Sequence, residues 1–368
     1  MSDSGAGPVP RDTALTSSTI LPAASRLAAA LSLLTIGACC VTLMQLDVPL
    51  LRFLRSLDLS SIQRMGDFGE KVGNGASLVA MSLGLLGFGW VAGRKHWMQA
   101  GVESLLAHGC VGLLVNGLKH LIGRPRPRLT HSGEWQWWPS WDSGLDSFPS
   151  GHTSATFAVA TVLARHWPRA AWVGYGLATW VAMSRVWRGS HFVTDVVAGM
   201  VAGSVVGAVF AGPLREWRET LLRAIVRMTP IAVVVTSSLW VVMRRVENLW
   251  MDRLLSIAGL ALLAAGLLMR LRSDRDTQSA RQPTAYRASI IFVGLGLSFT
   301  TGSPVLVALA VLALSAWWVH ARALHRSGFP TEPPSFSSGR PALKRLYAGG
   351  ILFAALLVLE LKGIIPIR

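Results

Sequence analysis

Eleven apolar stretches, spread along almost the whole chain, constrain the fold more than any other feature. They lie at roughly 27–46, 75–92, 97–118, 152–167, 171–187, 192–213, 229–243, 254–269, 288–301, 304–320 and 346–364. A bilayer core takes about 20 apolar residues of helix, and backbone groups in lipid must be bonded within their own segment. Each stretch therefore reads as a membrane-spanning helix, and the expected fold is an all-α polytopic membrane protein. Composition agrees: 15% of residues are charged, where a soluble domain carries about a quarter. The stretch at 229–243 is the least apolar and is expected to begin before Pro230 and to carry a kink. Residues 1–25 are polar and read as a disordered tail; 272–287 and 323–344, polar with prolines, read as cytoplasmic linkers. Ile36-Gly37-Ala38-Cys39 looks faintly like a lipoprotein cleavage box, but the long polar lead and long apolar run favour a retained helix.

Lys and Arg together number 35 against 19 Asp and Glu. On a soluble chain this excess would suggest nucleic acid. Here it follows from short cytoplasmic loops, which collect Arg and Lys, so no nucleic-acid partner is expected. Arg94 and Lys95, Arg165 and Arg169, and Arg215, Arg218, Arg223 and Arg227 follow every second span, as do Arg270 to Arg287 and Arg322 to Lys344. The loop after the first span is balanced, with Arg52, Arg55, Arg64 and Lys71 against Asp47, Asp58, Asp67 and Glu70. The loop from Gly123 to Pro149 breaks the alternation, being basic on the outer side, and this asks for a functional reason. Cys39, Cys40 and Cys110 all lie in apolar runs and form neither a disulfide framework nor a zinc site.

Three segments carry chemistry. Lys119 is followed by Arg124-Pro125-Arg126-Pro127-Arg128, where prolines favour an extended chain and would align the arginines in a row of forks. Pro149-Ser150-Gly151-His152 directly precedes a span, and a helix opening on Ser-Gly offers free N–H groups and a positive dipole end to a phosphate. Ser184-Arg185 closes one span, and His191 and Asp195 open the next at a spacing of four, which would place them on one helix face. A carboxylate there can hold one imidazole nitrogen and leave the other free as nucleophile or base. Taken singly, each has a plainer reading: a juxtamembrane basic patch, a turn with a helix cap, a surface His–Asp pair. Together they form an inventory for clamping a phosphoryl group, attacking it and protonating its leaving group.

The run Lys119-x6-Arg126-Pro127, then Pro149-Ser150-Gly151-His152, then Ser184-Arg185-x5-His191-x3-Asp195 resembles the three-part signature of the type 2 phosphatidic acid phosphatase superfamily, with no departure at its defining positions. The resemblance implies a six-helix phosphatase core over about 26–213, leaving 214–368 as an additional C-terminal region of about five spans and unknown role. It implies that His191 attacks phosphorus to form a phosphohistidine, that Asp195 orients it, and that His152 protonates the leaving oxygen. Lys119, Arg126, Ser150, Gly151 and Arg185 would hold the phosphate oxygens. Cations would replace the metal ions common in phosphoryl transfer, so no metal and no other cofactor is expected.

The implied function is a lipid phosphatase in a cytoplasmic-type membrane, with its site on the extracytoplasmic face. Its substrate would be a membrane lipid phosphate: a polyprenyl diphosphate, phosphatidate, phosphatidylglycerol phosphate or phosphorylated lipid A. Transfer of the phosphoryl group to another lipid is the alternative within this chemistry, and a non-enzymatic lipid-binding or transport protein the alternative outside it. Soluble vanadium haloperoxidases resemble the same pattern, but the many spans oppose that reading. Oligomeric state is not legible. Gly199, Gly203 and Gly207 continue the spacing of His191 and Asp195 and suggest close helix packing, which either positions the nucleophile or packs the helix with no tie to catalysis. Trp135, Trp137, Trp138 and Trp141 suggest an interfacial anchor or a headgroup grip. His108 and Glu360 are ionisable groups inside spans, and His120 and His131 lie near the motifs without an assigned role.

Overall fold

A computed structural model describes residues 23–56, 60–129, 138–243, 250–273 and 282–326. Among these residues the chain is helical, without strands. The elements are α1 (Ala23–Ser56), α2 (Ser60–Gly73), α3 (Gly75–Val91), α4 (Lys95–Ile122), α5 (Gly151–His166), α6 (Ala171–Trp187), α7 (Val193–Phe210), α8 (Trp217–Met243), α9 (Trp250–Ser273), α10 (Gln282–Thr300) and α11 (Pro304–Arg326). The protein is an all-α polytopic membrane protein. Ten of the expected stretches lie on these helices, and 346–364 lies outside the described residues, as does the tail over 1–22. Among the described residues, four helices are long and apolar enough to cross a bilayer, or five if α2 and α3, bent by 55° at their junction, count as one span. α5 and α6, with 16 and 17 residues, fall short on length. α8 does begin before Pro230, so Arg218, Arg223 and Arg227 sit on its first turns rather than in a loop.

Two expectations about the first outer loop are corrected. Asp47 lies inside α1 and is 2% exposed, because α1 runs on to Ser56 and its carboxylate finds partners within the bundle. The following segment forms the amphipathic helix α2, which apolar runs alone could not reveal. A Cβ at Gly69 would stand 2.7 Å from the Ser184 side chain, and one at Gly73 would collide with Val181. Those glycines let α2 lie flush on α6.

α7 is the structural centre. Val193, Val196 and Val197 pack with Leu43 and Leu46 of α1, Phe157 of α5, Trp240 of α8 and Leu306 of α11 in one apolar cluster. The C-terminal helix α8 thus rests directly on α7, and α11 joins the same cluster by packing on α1 and α8. α7 also meets α5 through its glycine stripe: a Cβ at Gly199 would lie 2.8 Å from the Ser150 carbonyl, and Cβ atoms at Gly203 and Gly207 would overlap the Ser154 and Ala158 carbonyls. Small residues at this spacing allow two backbones to approach closely.

Chain direction sorts the polar residues to two ends. At one end, the start of α4 meets the end of α5, where His96 stacks edge-on against His166 and Trp167, and His166 bonds Glu103 at 2.8 Å. The basic turns around Arg94, Arg165 and Arg215 belong to this end. At the other end gather the end of α4 and the start of α5 with the end of α6 and the start of α7. All three motifs lie there.

Candidate active site

α4 stops at Gly123, whose φ of 62° suits the left-handed cap that glycine adopts without strain. Beyond it the arginines do not form a row. Arg124 turns inward and is 1% exposed, Arg126 turns across the loop and is half-buried, and Arg128 faces solvent. Their partners explain the divergence. Arg124 Nη1 donates to Asp195 Oδ1 at 2.5 Å and Nη2 to Asp47 Oδ2 at 2.7 Å, with the guanidinium 4.2 Å from the Phe192 ring centre. Arg126 instead grips Asp146 with two bonds, Nε to Oδ1 at 2.8 Å and Nη2 to Oδ2 at 2.6 Å.

A buried Asp47–Arg124–Asp195 triad therefore stands behind the site. Asp47 Oδ1 also accepts the Thr194 N–H at 3.0 Å, and Asp195 Oδ2 accepts the Phe192 N–H at 2.8 Å and the Ser147 hydroxyl at 2.5 Å. Asp195 sits at the third position of α7 and reaches back to satisfy an N–H that the helix leaves open.

The relation of His191 to Asp195 differs from the expected shared helix face. α7 begins at Val193, so His191 precedes the helix, and helical i,i+4 geometry does not apply. Its Nδ1 donates to the Ser147 carbonyl at 2.8 Å, while Asp195 Oδ2 is 3.6 Å away. A carbonyl only accepts, so this contact assigns the proton to Nδ1 and leaves Nε2 with its lone pair. Asp195 acts on the ring by charge and by holding Ser147, whose carbonyl sets the tautomer. Burial lowers the pKa of His191; Asp195 raises it, Arg126 and Arg185 lower it, and the net position is below the ordinary 6.5.

The other expected residues converge on the same pocket. Lys119 Nζ is 3.7 Å from Asp146 Oδ2, and a Cβ at Gly151 would lie 3.7 Å from that ammonium, so Lys119 faces the opening turn of α5. Ser150 is the N-cap of α5, yet its side chain caps no N–H of that turn. Its hydroxyl accepts from Thr153 at 3.0 Å, and its N–H donates to the Asp195 carbonyl at 3.0 Å, which ties the starts of α5 and α7 together. His152, half-buried in the first turn of α5, lies in the electrostatic field of Arg185, His191, Lys119 and Arg126. Arg185 is 4% exposed at the end of α6, and its Nε and Nη1 make no hydrogen bond. The nearest acid, Glu70 of α2, is 3.6 Å from Nη1 and is held by Arg188 at 2.7 Å. Buried donors without partners are rare, and these two belong to a cation beside a candidate nucleophile.

All eight expected residues thus meet at one end of the bundle. Sequence reasoning missed Asp47, Asp146, Ser147 and Glu70 as members of this environment. Asp47 had a readable signal, a lone carboxylate at the edge of an apolar stretch; Asp146, Ser147 and Glu70 had none beyond polarity. Burial works against ionisation of Asp146, but the Arg126 bonds and charge, and then Lys119, outweigh it and hold its carboxyl well below the usual range. Trp138 and Trp141 are exposed, and Trp141 stacks on His120 at 4.2 Å. His108 faces Gly75 at the start of α3. Trp135, Trp137, His131 and Glu360 lie outside the described residues. Among the described residues no group of acids, histidines and cysteines has the spacing to hold a metal ion.

A family model described as the PAP2 superfamily matches residues 100–218. A lipid A 1-phosphatase of Porphyromonas gingivalis is 32% identical over 148 residues, 39% of this chain and 30% of that protein. A lipid A 1-phosphatase of Rhizobium etli is 30% identical over 186 residues, 46% of this chain and 78% of that protein. An undecaprenyl-diphosphatase of Bacillus subtilis is 32% identical over 140 residues, 36% of this chain and 67% of that protein. The chain spans less than a third of the length of the Porphyromonas relative. No solved structure matches the chain.

Proposed function

Because the chain belongs to the PAP2 superfamily, we propose that it is an integral-membrane lipid phosphatase that removes phosphate from a lipid monoester or diphosphate. The observation that carries this reading is the pairing of an unprotonated His191 Nε2 with buried Arg185 donors that make no hydrogen bond, at an end of the bundle that also holds Lys119, Arg126 and His152. In the proposed reaction, Nε2 attacks phosphorus as the bond to the leaving oxygen breaks, and His152 gives its proton to that oxygen. A dianionic phosphoryl group among these cations supplies the negative charge that keeps a proton on His152. Water then attacks the phosphohistidine, His152 takes its proton back, and the P–N bond breaks to release inorganic phosphate. Lys119, Arg126, Arg185 and the open N–H groups of α5 bear the charge that develops on the phosphoryl oxygens.

A site at helix ends suits a substrate whose tail stays in the bilayer. The alternating basic turns at the opposite end support a cytoplasmic position for that end, and with it a site on the extracytoplasmic side of the membrane. The names of the relatives place phosphorylated lipid A and undecaprenyl diphosphate first in a test panel, followed by phosphatidate and phosphatidylglycerol phosphate. The test is phosphate release by the purified protein across this panel, with and without chelator, beside His191→Ala. Release that survives chelation and falls by about a thousandfold or more in the variant is expected. Activity retained in His191→Ala removes the nucleophile. A strict need for a divalent metal removes the cation clamp, and release from no lipid phosphate removes the enzyme reading in favour of binding or transport.

A further inference from the structure

We propose that Asp146 is an internal competitor for the phosphate subsite, admitting phosphate monoesters and diphosphates while keeping singly charged phosphodiester lipids out. The inference rests on the reading that Lys119 and Arg126 hold substrate phosphate. The Asp146 carboxylate covers the edge of Arg126 formed by Nε and Nη2 and stands 3.7 Å from Lys119 Nζ. Two oxygens set on one guanidinium edge is also how a phosphoryl group meets arginine, so the two anions require the same donors.

The two aspartates of the pocket are built differently. Asp195 is fully buried with four donors or ion partners around it and cannot leave. The Asp146 side chain is 29% exposed and belongs to a loop, two residues after Gly144, whose φ is 95°. It can swing into water when a stronger anion arrives. Arg185 has no such rival on its Nε, and Glu70 leans on it from 3.6 Å while bonded to Arg188.

Charge then decides what enters. The bilayer around the site is dense with phosphodiester headgroups, each carrying one negative charge on its phosphate. Such a group matches the carboxylate in charge and gains little by displacing it. A monoester near neutral pH approaches two charges, and a diphosphate carries more, so either displaces Asp146 from both cations. After hydrolysis the returning carboxylate competes with inorganic phosphate and assists its release.

Asp146→Asn keeps the shape and removes the charge. On the full-length purified protein in mixed micelles, three quantities are measured for wild type and variant. They are the KM for the best lipid phosphate, inhibition by inorganic phosphate and orthovanadate, and inhibition by phosphatidylglycerol as a singly charged diester. The expected result is about tenfold stronger inhibition by phosphate and vanadate, a lower KM, and inhibition by phosphatidylglycerol that wild type does not show. Unchanged or weaker inhibition by all three overturns the proposal and makes Asp146 a strut that holds Arg126 in place. Should Asp146→Asn unfold, Asp146→Ser and the phosphate-induced rise in melting temperature give the same reading without turnover. That binding measurement also separates the two ideas: phosphate stabilising the variant more than wild type upholds Asp146 as competitor even if no lipid phosphate is hydrolysed. Hydrolysis by wild type with no tightening in either variant removes the competitor alone.

Discussion

The α5/α7 and α9/α10 pairs are pressed together by the same device, yet only one of them bears the motif residues. In the first, Gly199, Gly203 and Gly207 meet the carbonyls of Ser150, Ser154 and Ala158. In the second, a Cβ at Gly259 would lie 2.6 Å from the Gly296 carbonyl, and one at Gly296 would lie 2.8 Å from the Gly259 carbonyl. Glycine contact is thus a general means of packing helices in lipid, where apolar burial between helices offers little drive. What distinguishes α5/α7 is where the helices begin. Ser150 and His152 open one, His191 and Asp195 open the other, and the Ser150 N–H to Asp195 carbonyl bond joins the two starts. If this stripe also sets the distance between candidate acid and nucleophile, filling it must cost turnover, whereas filling the α9/α10 contact must cost only stability.

The largest effect that could break this comparison comes from filling both contacts. Gly203→Leu drives a side chain into the Ser154 carbonyl and must push α5 away from α7. A fall in kcat of about a hundredfold or more is expected, since displacement of reacting groups by about 1 Å has that consequence. Gly259→Leu is an equal insult to α9/α10, costing about 1–3 kcal/mol or more by overpacking. It should lower the melting temperature and leave kcat per folded molecule within about twofold of wild type. Turnover measured on monodisperse fractions of each decides the matter. A folded Gly203→Leu protein with normal kcat shows that the stripe is packing and nothing more.

A smaller and sharper test removes the ionic lock behind the same helix start. Asp47→Asn keeps an acceptor for the Thr194 N–H but takes one carboxylate charge from beside the buried Arg124 guanidinium, which Asp195 still faces. Replacing a charge-assisted bond on the buried guanidinium with a neutral one costs about 1–3 kcal/mol, so stability should fall. If the triad positions the nucleophile, kcat falls about ten- to a hundredfold with little change in KM, because Asp47 lies behind the pocket. Equal loss in both parameters, or loss of stability alone, assigns Asp47 to the scaffold. Asp47→Glu should recover part of the loss.

The chemistry was legible in the sequence to the extent that it lies in single polar residues at ends of apolar runs. Lys119, Arg126, Ser150, Gly151, His152, Arg185, His191 and Asp195 are all of that kind, and they converge. The helices themselves were legible because lipid imposes length and apolarity. What was not legible depends on partners far away in the chain. Arg124 meets Asp47 across 77 residues and Asp195 across 71, and no local pattern separates it from Arg126 or Arg128. α2 escaped because its apolar residues are too few for a span and its glycines acquire meaning only against α6. The His191–Asp195 spacing did bring the pair within 3.6 Å, but α7 begins only at Val193, and the hydrogen bond of the ring goes to the Ser147 carbonyl.

The smallest expected effect concerns pH and sets the buried His191 before α7 against a buried histidine of the C-terminal helix α11. His191 must be neutral at Nε2 to attack, and burial followed by the opposing influences of Asp195, Arg126 and Arg185 leaves its pKa below 6.5. As pH rises through that pKa the proton is lost and the nucleophile becomes competent, so kcat/KM should climb on a limb centred below pH 6.5. Correction for the ionisation of the substrate phosphate is required, because that group titrates nearby. His320 of α11 is also buried, at 5% exposure, and lies in the field of Arg223 and Arg227. Its ring nitrogens have no hydrogen-bond partner among the described residues. His320→Gln should leave the acidic limb where it was, whereas Arg126→Gln, by removing a cation that opposes a proton on His191, should move it upward. A limb that follows His320, or one centred above pH 6.5 in the unmodified protein, would mean that the titrating group is not the ring held by the Ser147 carbonyl.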